Sequence, residues 1–162
     1  MSIRLFVTGG TFDKEYDEVT ATLAFRETHV PRMLALGRCR ADVEVEVLLL
    51  KDSLDLTDAD RAGIVQACVA CAETRIVITH GTDTIVETAR AIAAAVHERT
   101  VVLTGAMVPF AFGSSDGLFN LGSALSFAQV LSAGVYVAMY GRYVRWDDVR
   151  KNRDLGVFEA AQ

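Results

Sequence analysis

Short, nearly unbroken apolar runs recur along the chain at Ile3–Val7, Val43–Leu50, Ile76–Thr79, Val101–Thr104 and Val135–Tyr140. Each has the length of a strand, and runs without polar alternation predict strands covered on both faces. Val43–Leu50 alternates Val with Glu before turning fully apolar, which predicts a strand entering the core. Helical segments lie between the runs. Thr57-Asp58-Ala59-Asp60 has the form of a capping box and predicts a helix to about Ala72. The segments Thr84–Val96 and Gly117–Ala133 predict two more helices, and Pro31 opens a short one over Arg32–Leu36 before Gly37. Strand alternating with helix predicts an α/β fold. It reads as a Rossmann-like three-layer αβα domain with a mostly parallel sheet. No internal repeat or linker divides the chain.

Two stretches break the rhythm. Residues 12–28 carry mixed charge (Asp13, Lys14, Glu15, Asp17, Glu18) with no clean period and predict a long surface loop, placed to act as a lid. Gly105–Asp116 predicts a second long loop, and the residues after Tyr140 read as a polar tail.

Composition narrows the function. With Lys+Arg at 16 against Asp+Glu at 21, the net charge of −5 argues against a nucleic-acid surface or electrostatic attachment to anionic membrane. Tyr143 and Trp146 interleave with Arg142, Arg145, Arg150 and Arg153, but Asp147, Asp148 and Asp154 break up that field. No apolar run is long enough to span a bilayer, and Met1 leads straight into a strand without a leader, so a cytoplasmic protein is expected. Cys68 and Cys71 form a CxxC inside a helical pattern. They read as small packing residues, with redox or zinc chemistry as the alternative. His29, His80 and His97 show no ligand spacing, so neither a metal site nor a Ser-His-Asp triad is expected.

Polar Gly/Thr turns follow the predicted strands at Thr8-Gly9-Gly10-Thr11, Asp52-Ser53, His80-Gly81-Thr82-Asp83-Thr84 and Thr104-Gly105. In open α/β sheets, ligands bind outside the strand C-terminal ends, so these turns converge on one candidate rim. The first lacks the GxGxxG of a dinucleotide site. It is a tight turn with a hydrogen-bonding Thr, or a place where backbone comes close to a ligand. In the third, Thr82 or Asp83 caps the next helix, or the turn holds a small anion or amide at that helix's positive end. Lys151, after the last predicted strand, reads as a solvated charge along with Arg142, Arg145, Arg150 and Arg153. What remains is Thr/Tyr/Lys/Asp chemistry, in which Lys or Tyr takes a proton from a hydroxyl nucleophile.

Taken together, these turns resemble the bacterial-type L-asparaginase family. The matching pieces are Thr8–Thr11, Asp52-Ser53, His80–Thr84, Thr104–Met107 with Pro109, Ser115–Gly117 with Asn120-Leu121, and Asp148-Val149 with Lys151. The resemblance covers the family's N-terminal domain. It implies that residues 1–162 form one catalytic domain without the usual smaller C-terminal domain, as in short asparaginases. It implies hydrolysis of L-asparagine to L-aspartate and ammonia, without metal or organic cofactor. Thr11 would be the nucleophile and Tyr16 its activating partner. Lys151 would assist proton transfer through Thr82, and Asp83 would hold the substrate α-amino group. Ser53 would take the α-carboxylate, while backbone around Gly10, Thr82 and Ala106 would frame the amide. Homo-oligomers, dimers or tetramers, are implied as well. Leu54, Phe12 and Val108 depart from the family pattern, and Leu54 keeps glutamine or another small amide open as substrate. An asparagine sensor, or an amidotransferase-like subunit completed by a partner, are the further alternatives.

Overall fold

The computed structural model describes residues 1–161. Its centre is a six-stranded sheet built from β1 (Ser2–Gly9), β4 (Asp42–Lys51), β5 (Arg75–Thr79), β6 (Thr100–Thr104), β7 (Gly134–Met139) and β8 (Arg142–Arg145). Their order is β4-β1-β5-β6-β7-β8. All neighbours run parallel except β7 and β8. Four helices cover it: α1 (Val30–Leu36), α2 (Asp58–Ala70), α3 (Ile85–Ala93) and α4 (Gly117–Val130). The predicted α/β layering with a mostly parallel sheet is therefore the observed one.

Period-two alternation sorts the strand side chains into two cores. Ile76, Ile78, Val101, Leu103, Val135 and Val137 pack against α2 and α3. Val77, Val102, Tyr136 and Ala138 face α1 and α4, with Ile3, Leu5 and Val7 beside them. Burial on both faces is what lets β5, β6 and β7 read as continuous apolar runs. Thr57 caps α2 by accepting from the Asp60 amide, and the Asp60 carboxylate returns the bond to the Thr57 amide, so the predicted capping box is present. α4 ends at Val130, short of Ala133, because Leu131 turns extended.

The placement of the helices fixes a feature of the connections. Chain order moves from β1 to β4 through α1, then back across β1 to β5 through α2, then onward through α3 to β6 and α4 to β7. The first three crossovers share one hand. The β6-α4-β7 crossover runs in the same direction as β5-α3-β6 but passes over the opposite face. With right-handed crossovers the rule, this one is left-handed. It brings the start of α4 to the face that also carries α1.

Three sequence expectations are corrected. Residues 12–28 are not one irregular loop. A single 3₁₀ turn over Thr11–Asp13 leads into a hairpin of β2 (Lys14–Asp17) and β3 (Thr22–Phe25), in register from Lys14–Phe25 to Asp17–Thr22. This ribbon buries neither face fully, so its sequence carries no apolar alternation. The turn is set by Asp17, whose carboxylate accepts from the Val19 and Thr20 amides. Second, β4 does not enter the core. It is the sheet edge, and Leu48–Leu50 are only half-buried. Third, the polar tail is β8 followed by a hairpin of β9 (Val149–Asn152) and β10 (Val157–Ala160). Val149 and Phe158 anchor it in the core on the α2/α3 side. Among the described residues, no helix is long and apolar enough to cross a membrane.

Phe158 is 7% exposed and is the main apolar anchor of β10. Phe158→Ala should lower stability by about 3 kcal/mol, as for other buried Phe truncations, measured by urea unfolding. It should also speed amide exchange across β9.

Candidate active site

The chain reverses its direction of growth between β1 and β5, so the crevice at their C-terminal ends is the topological switch point. Backbone approaches backbone there more closely than any side chain allows. A Cβ on Gly10 would lie 2.4 Å from the Gly81 nitrogen, and one on Gly81 2.6 Å from the Ser53 side chain. Gly10 also has φ +73°, in the region that favours glycine. A Cβ on Gly105 would meet the His80 carbonyl oxygen at 2.7 Å. The turns after β1, β4, β5 and β6 are thus stacked into one rim, as their positions after the strands predict.

At that rim β9 delivers Lys151. Its Nζ donates to Thr82 Oγ1 at 2.9 Å and to Asp83 Oδ1 at 2.7 Å. The structure therefore brings Thr82, Asp83 and Lys151 together. It also excludes the capping alternative, because the residue preceding α3 is Thr84 and no side chain caps that end. Thr84 instead binds the Ser53 turn: its Oγ1 donates to the Ser53 carbonyl at 2.7 Å and its amide to Ser53 Oγ at 3.4 Å. Ser53 is buried, and its own proton stays available to another acceptor.

Two supports were not legible from residue spacing. His80 is fully buried beneath the turn. Its Nδ1 lies 2.7 Å from the Gly81 carbonyl, which can only accept, so Nδ1 carries the proton and Nε2 accepts from the Thr88 hydroxyl at 2.8 Å. Burial holds the imidazole neutral, with its pKa lowered from 6.5 to about 4. Spacing tests a histidine only as a ligand or triad member, whereas here it braces the backbone of Thr82. The second support is Asp116. Its carboxylate accepts from the Met107 and Val108 amides, and Asn120 Nδ2 donates both to it and to the Gly105 carbonyl. This clamp sets the buried Ala106 at the rim. The left-handed crossover is what places Asp116 and Asn120 there.

Thr11 sits half-buried in its 3₁₀ turn, one residue beyond the Gly10–Gly81 contact. Phe12 roots that turn in the α1/α4 core, where a Cβ on Gly117 would lie 3.4 Å from its ring. The buried Asp13 carboxylate accepts from the Thr28 hydroxyl and the His29 amide, closing the base of the β2–β3 hairpin. Desolvation raises its pKa. Tyr16 stands on β2 at 57% exposure, and no hydrogen bond joins it to Thr11 among the described residues. The structure therefore does not bring that predicted pair together. Leu54 is exposed beside Ser53.

The cysteines are packing residues. Cys68 is buried in α2, and burial pushes its thiol up to about 12; Cys71 ends the helix. Among the described residues, no group of three or more His, Cys, Asp or Glu side chains is disposed to hold a metal ion.

Fold and rim together define an α/β domain with a hydroxyl, carboxylate and ammonium site at its switch point. Residues 2–159 match the family model described as "Asparaginase, N-terminal". The chain is 31% identical to an L-asparaginase of Thermococcus kodakarensis, over 97% of this chain and 49% of that protein. It is 32% identical to a glutamyl-tRNA(Gln) amidotransferase subunit of Methanococcus vannielii, over 96% of this chain and 37% of that one. The solved structure of the thermostable L-asparaginase from Thermococcus kodakarensis superposes with a TM-score of 0.87 at 31% identity, covering 99% of this chain and 51% of the other. The chain belongs to the asparaginase family. It spans about half the length of the L-asparaginase it matches and less of the amidotransferase protein.

His80 gives the fold a pH dependence with a definite sign. Its folded pKa lies below its ordinary value, so the unfolded chain binds the extra proton. Its contribution is complete above about pH 6.5 and is lost as pH falls toward 4, by about 3 kcal/mol. Urea midpoints measured from pH 7 to 4 should fall more steeply for the parent than for His80→Gln.

Proposed function

We propose that this chain hydrolyses the side-chain amide of L-asparagine to give L-aspartate and ammonia, with Thr11 as nucleophile. The observation that carries this reading is the Lys151–Thr82–Asp83 cluster on the same glycine-stacked rim as the Thr11 turn. A zwitterionic substrate needs an acceptor for its ammonium and donors for its carboxylate. The Asp83 carboxylate supplies the first, and the Ser53 hydroxyl with neighbouring turn amides supplies the second.

Thr11 Oγ attacks the amide carbon. Its proton is relayed to the departing amide nitrogen through the Tyr16 hydroxyl once the hairpin closes, or through the Thr82 hydroxyl beside the Lys151 ammonium. Negative charge develops on the amide oxygen and is taken by rim N–H groups around Gly10, Thr82 and Ala106, a class of interaction typically worth about 3 kcal/mol. Collapse of the adduct breaks the C–N bond, and the amine leaves with a proton as ammonia. Water then adds to the acyl ester, and its hydrolysis frees aspartate and restores the Thr11 hydroxyl. The chain's own proton-carrying groups suffice for each step.

Two observations support variants of the same chemistry. Leu54, exposed beside Ser53, departs from the family pattern next to the proposed carboxylate site, which supports glutamine as a competing substrate. The similarity to an amidotransferase subunit supports a chain that hydrolyses its amide only beside a partner. Self-association is also part of the proposal: α4 carries no charged residue and leaves Phe119 and Val130 exposed.

The purified chain with millimolar L-asparagine should release ammonia. Thr11→Ala and Thr82→Ala should each lower kcat/KM by about 1,000-fold or more while unfolding midpoints stay within the range of surface variants. Full activity in both variants rejects the assignment. Folded protein that binds asparagine without releasing ammonia favours the sensor or partner-dependent reading, and kcat/KM for glutamine decides the substrate.

A further inference from the structure

The hairpin β2–β3 shares no backbone hydrogen bond with the central sheet among the described residues; it forms a two-stranded sheet of its own. Its base is closed by Asp13. Beyond that, β2 packs beside the Phe110–Phe112 turn, and an ion pair ties the hairpin to the Ser53 turn: the Lys14 ammonium binds the Asp52 carboxylate. Both partners occupy junctions. Lys14 pairs across the hairpin with Phe25, and its Nζ lies 5.9 Å from that ring centre, so the ammonium sits at the root of both strands. Asp52 is the residue before Ser53, and its other carboxylate oxygen accepts from the Leu54 amide at 3.1 Å, capping the 3₁₀ turn Ser53–Asp55. Both side chains are mostly shielded, at 20% and 29% exposure. Lys14 holds the Asp52 carboxyl below the usual carboxylate range. An ion pair in that setting is screened less than a surface pair.

We propose that Lys14 and Asp52 are positioning residues for the reaction: their ion pair sets the Thr11 hairpin against the Ser53 turn. Neither need touch substrate. The turn holding Ser53 and the strand that leads out of the Thr11 turn lie on different elements, separated along the chain by α1 and β4. Asp13 ties the hairpin only to its own flank at Thr28 and His29, so it cannot set that second distance. The Gly10 amide already fixes the start of the Thr11 turn by donating to the Lys51 carbonyl at 2.9 Å, and the Lys14–Asp52 link carries that register out to the hairpin. Through it, the segment bearing Tyr16 is registered to the turn that would hold one end of the substrate. This inference rests on the amide-hydrolysis reading for its kinetic consequence, but its structural part stands apart from it.

The test compares the parent with Lys14→Met, Asp52→Asn, the double variant and Lys14→Arg. Met keeps the apolar stem over Phe25, and Asn keeps an acceptor for the Leu54 amide. Each single variant should lower kcat for L-asparagine by about 10-fold with KM within about twofold, the signature of lost orientation rather than lost binding. The double variant should be no worse than the poorer single, because the two residues act as one unit. Lys14→Arg should restore most of the loss. Amides of residues 14–25 should exchange about 10-fold faster in Lys14→Met while those of β5 and β6 keep their parent rates. Unchanged kcat, a loss that falls on KM alone, or losses that multiply in the double variant overturn the proposal. If the parent releases no ammonia, the hydrolytic reading falls by itself and the exchange measurement decides. Unchanged exchange over 14–25 then overturns the tie, and faster exchange upholds it.

Discussion

Everything at the rim depends on the close approach of the Gly10 backbone to that of Gly81 at the switch point. The gap admits no side-chain carbon: one on Gly10 would fall 2.4 Å from the Gly81 nitrogen. This contact puts Thr11 and Thr82, each the next residue in its chain segment, on the same small stretch of surface. Gly81 in turn rests on Ser53, and Gly105 on His80. Glycine here is required by packing rather than by flexibility. The contact turns parallel strand ends into a site, because backbone N–H groups that would otherwise be covered by side chains are left facing one place.

The charges are arranged around that contact without being buried beneath it. Lys151 reaches Thr82 and Asp83 from β9, an element outside the main sheet, and its hold on the core is apolar, through Val149 and Phe158. The group directly under Thr82 is instead a neutral histidine, fixed in one tautomer by a carbonyl and a hydroxyl. Burial, and to a lesser degree the charge of Arg61, disfavours a protonated imidazole there. Keeping His80 uncharged leaves the polar support intact. On the other face, the left-handed β6-α4-β7 crossover aims the start of α4 at the rim. Asp116 and Asn120 thereby fix the Ala106 loop, and Phe12 finds an apolar seat near Gly117. A right-handed connection would have put α4 on the α2/α3 side, with those residues out of reach.

The parts differ in how firmly they are held. The rim is braced by backbone contacts and buried hydrogen bonds. The hairpin carrying Tyr16 depends on side-chain ties at its root and a few apolar contacts, which places it at the low-stability end of the molecule. Under the proposed hydrolysis, that division would let preformed binding groups receive the substrate before the hairpin brings up Tyr16.

How much of this was legible in the sequence follows from what each feature depends on. The positions of β1, β4, β5, β6 and β7, the α2 capping box, the parallel α/β layering and the polar turns after strand ends were readable, because period, caps and glycine placement are local properties of the chain; β8, β9 and β10 read only as a polar tail. The order of the Gly/Thr turns was enough to point to the asparaginase family. The β2–β3 hairpin was not readable, since a ribbon with no buried face leaves no apolar alternation to detect. Nor was the edge position of β4, whose Leu48–Leu50 run looks the same at an edge as in the centre. The brace of His80, the clamp of Asp116 and Asn120, and the tie of Lys14 to Asp52 join residues from separate elements. The sequence by itself determined which groups are available and which strand ends carry them. Only the tertiary structure decided which of them meet, because strand order and crossover hand are set by the packing of whole elements and leave no mark on any single segment.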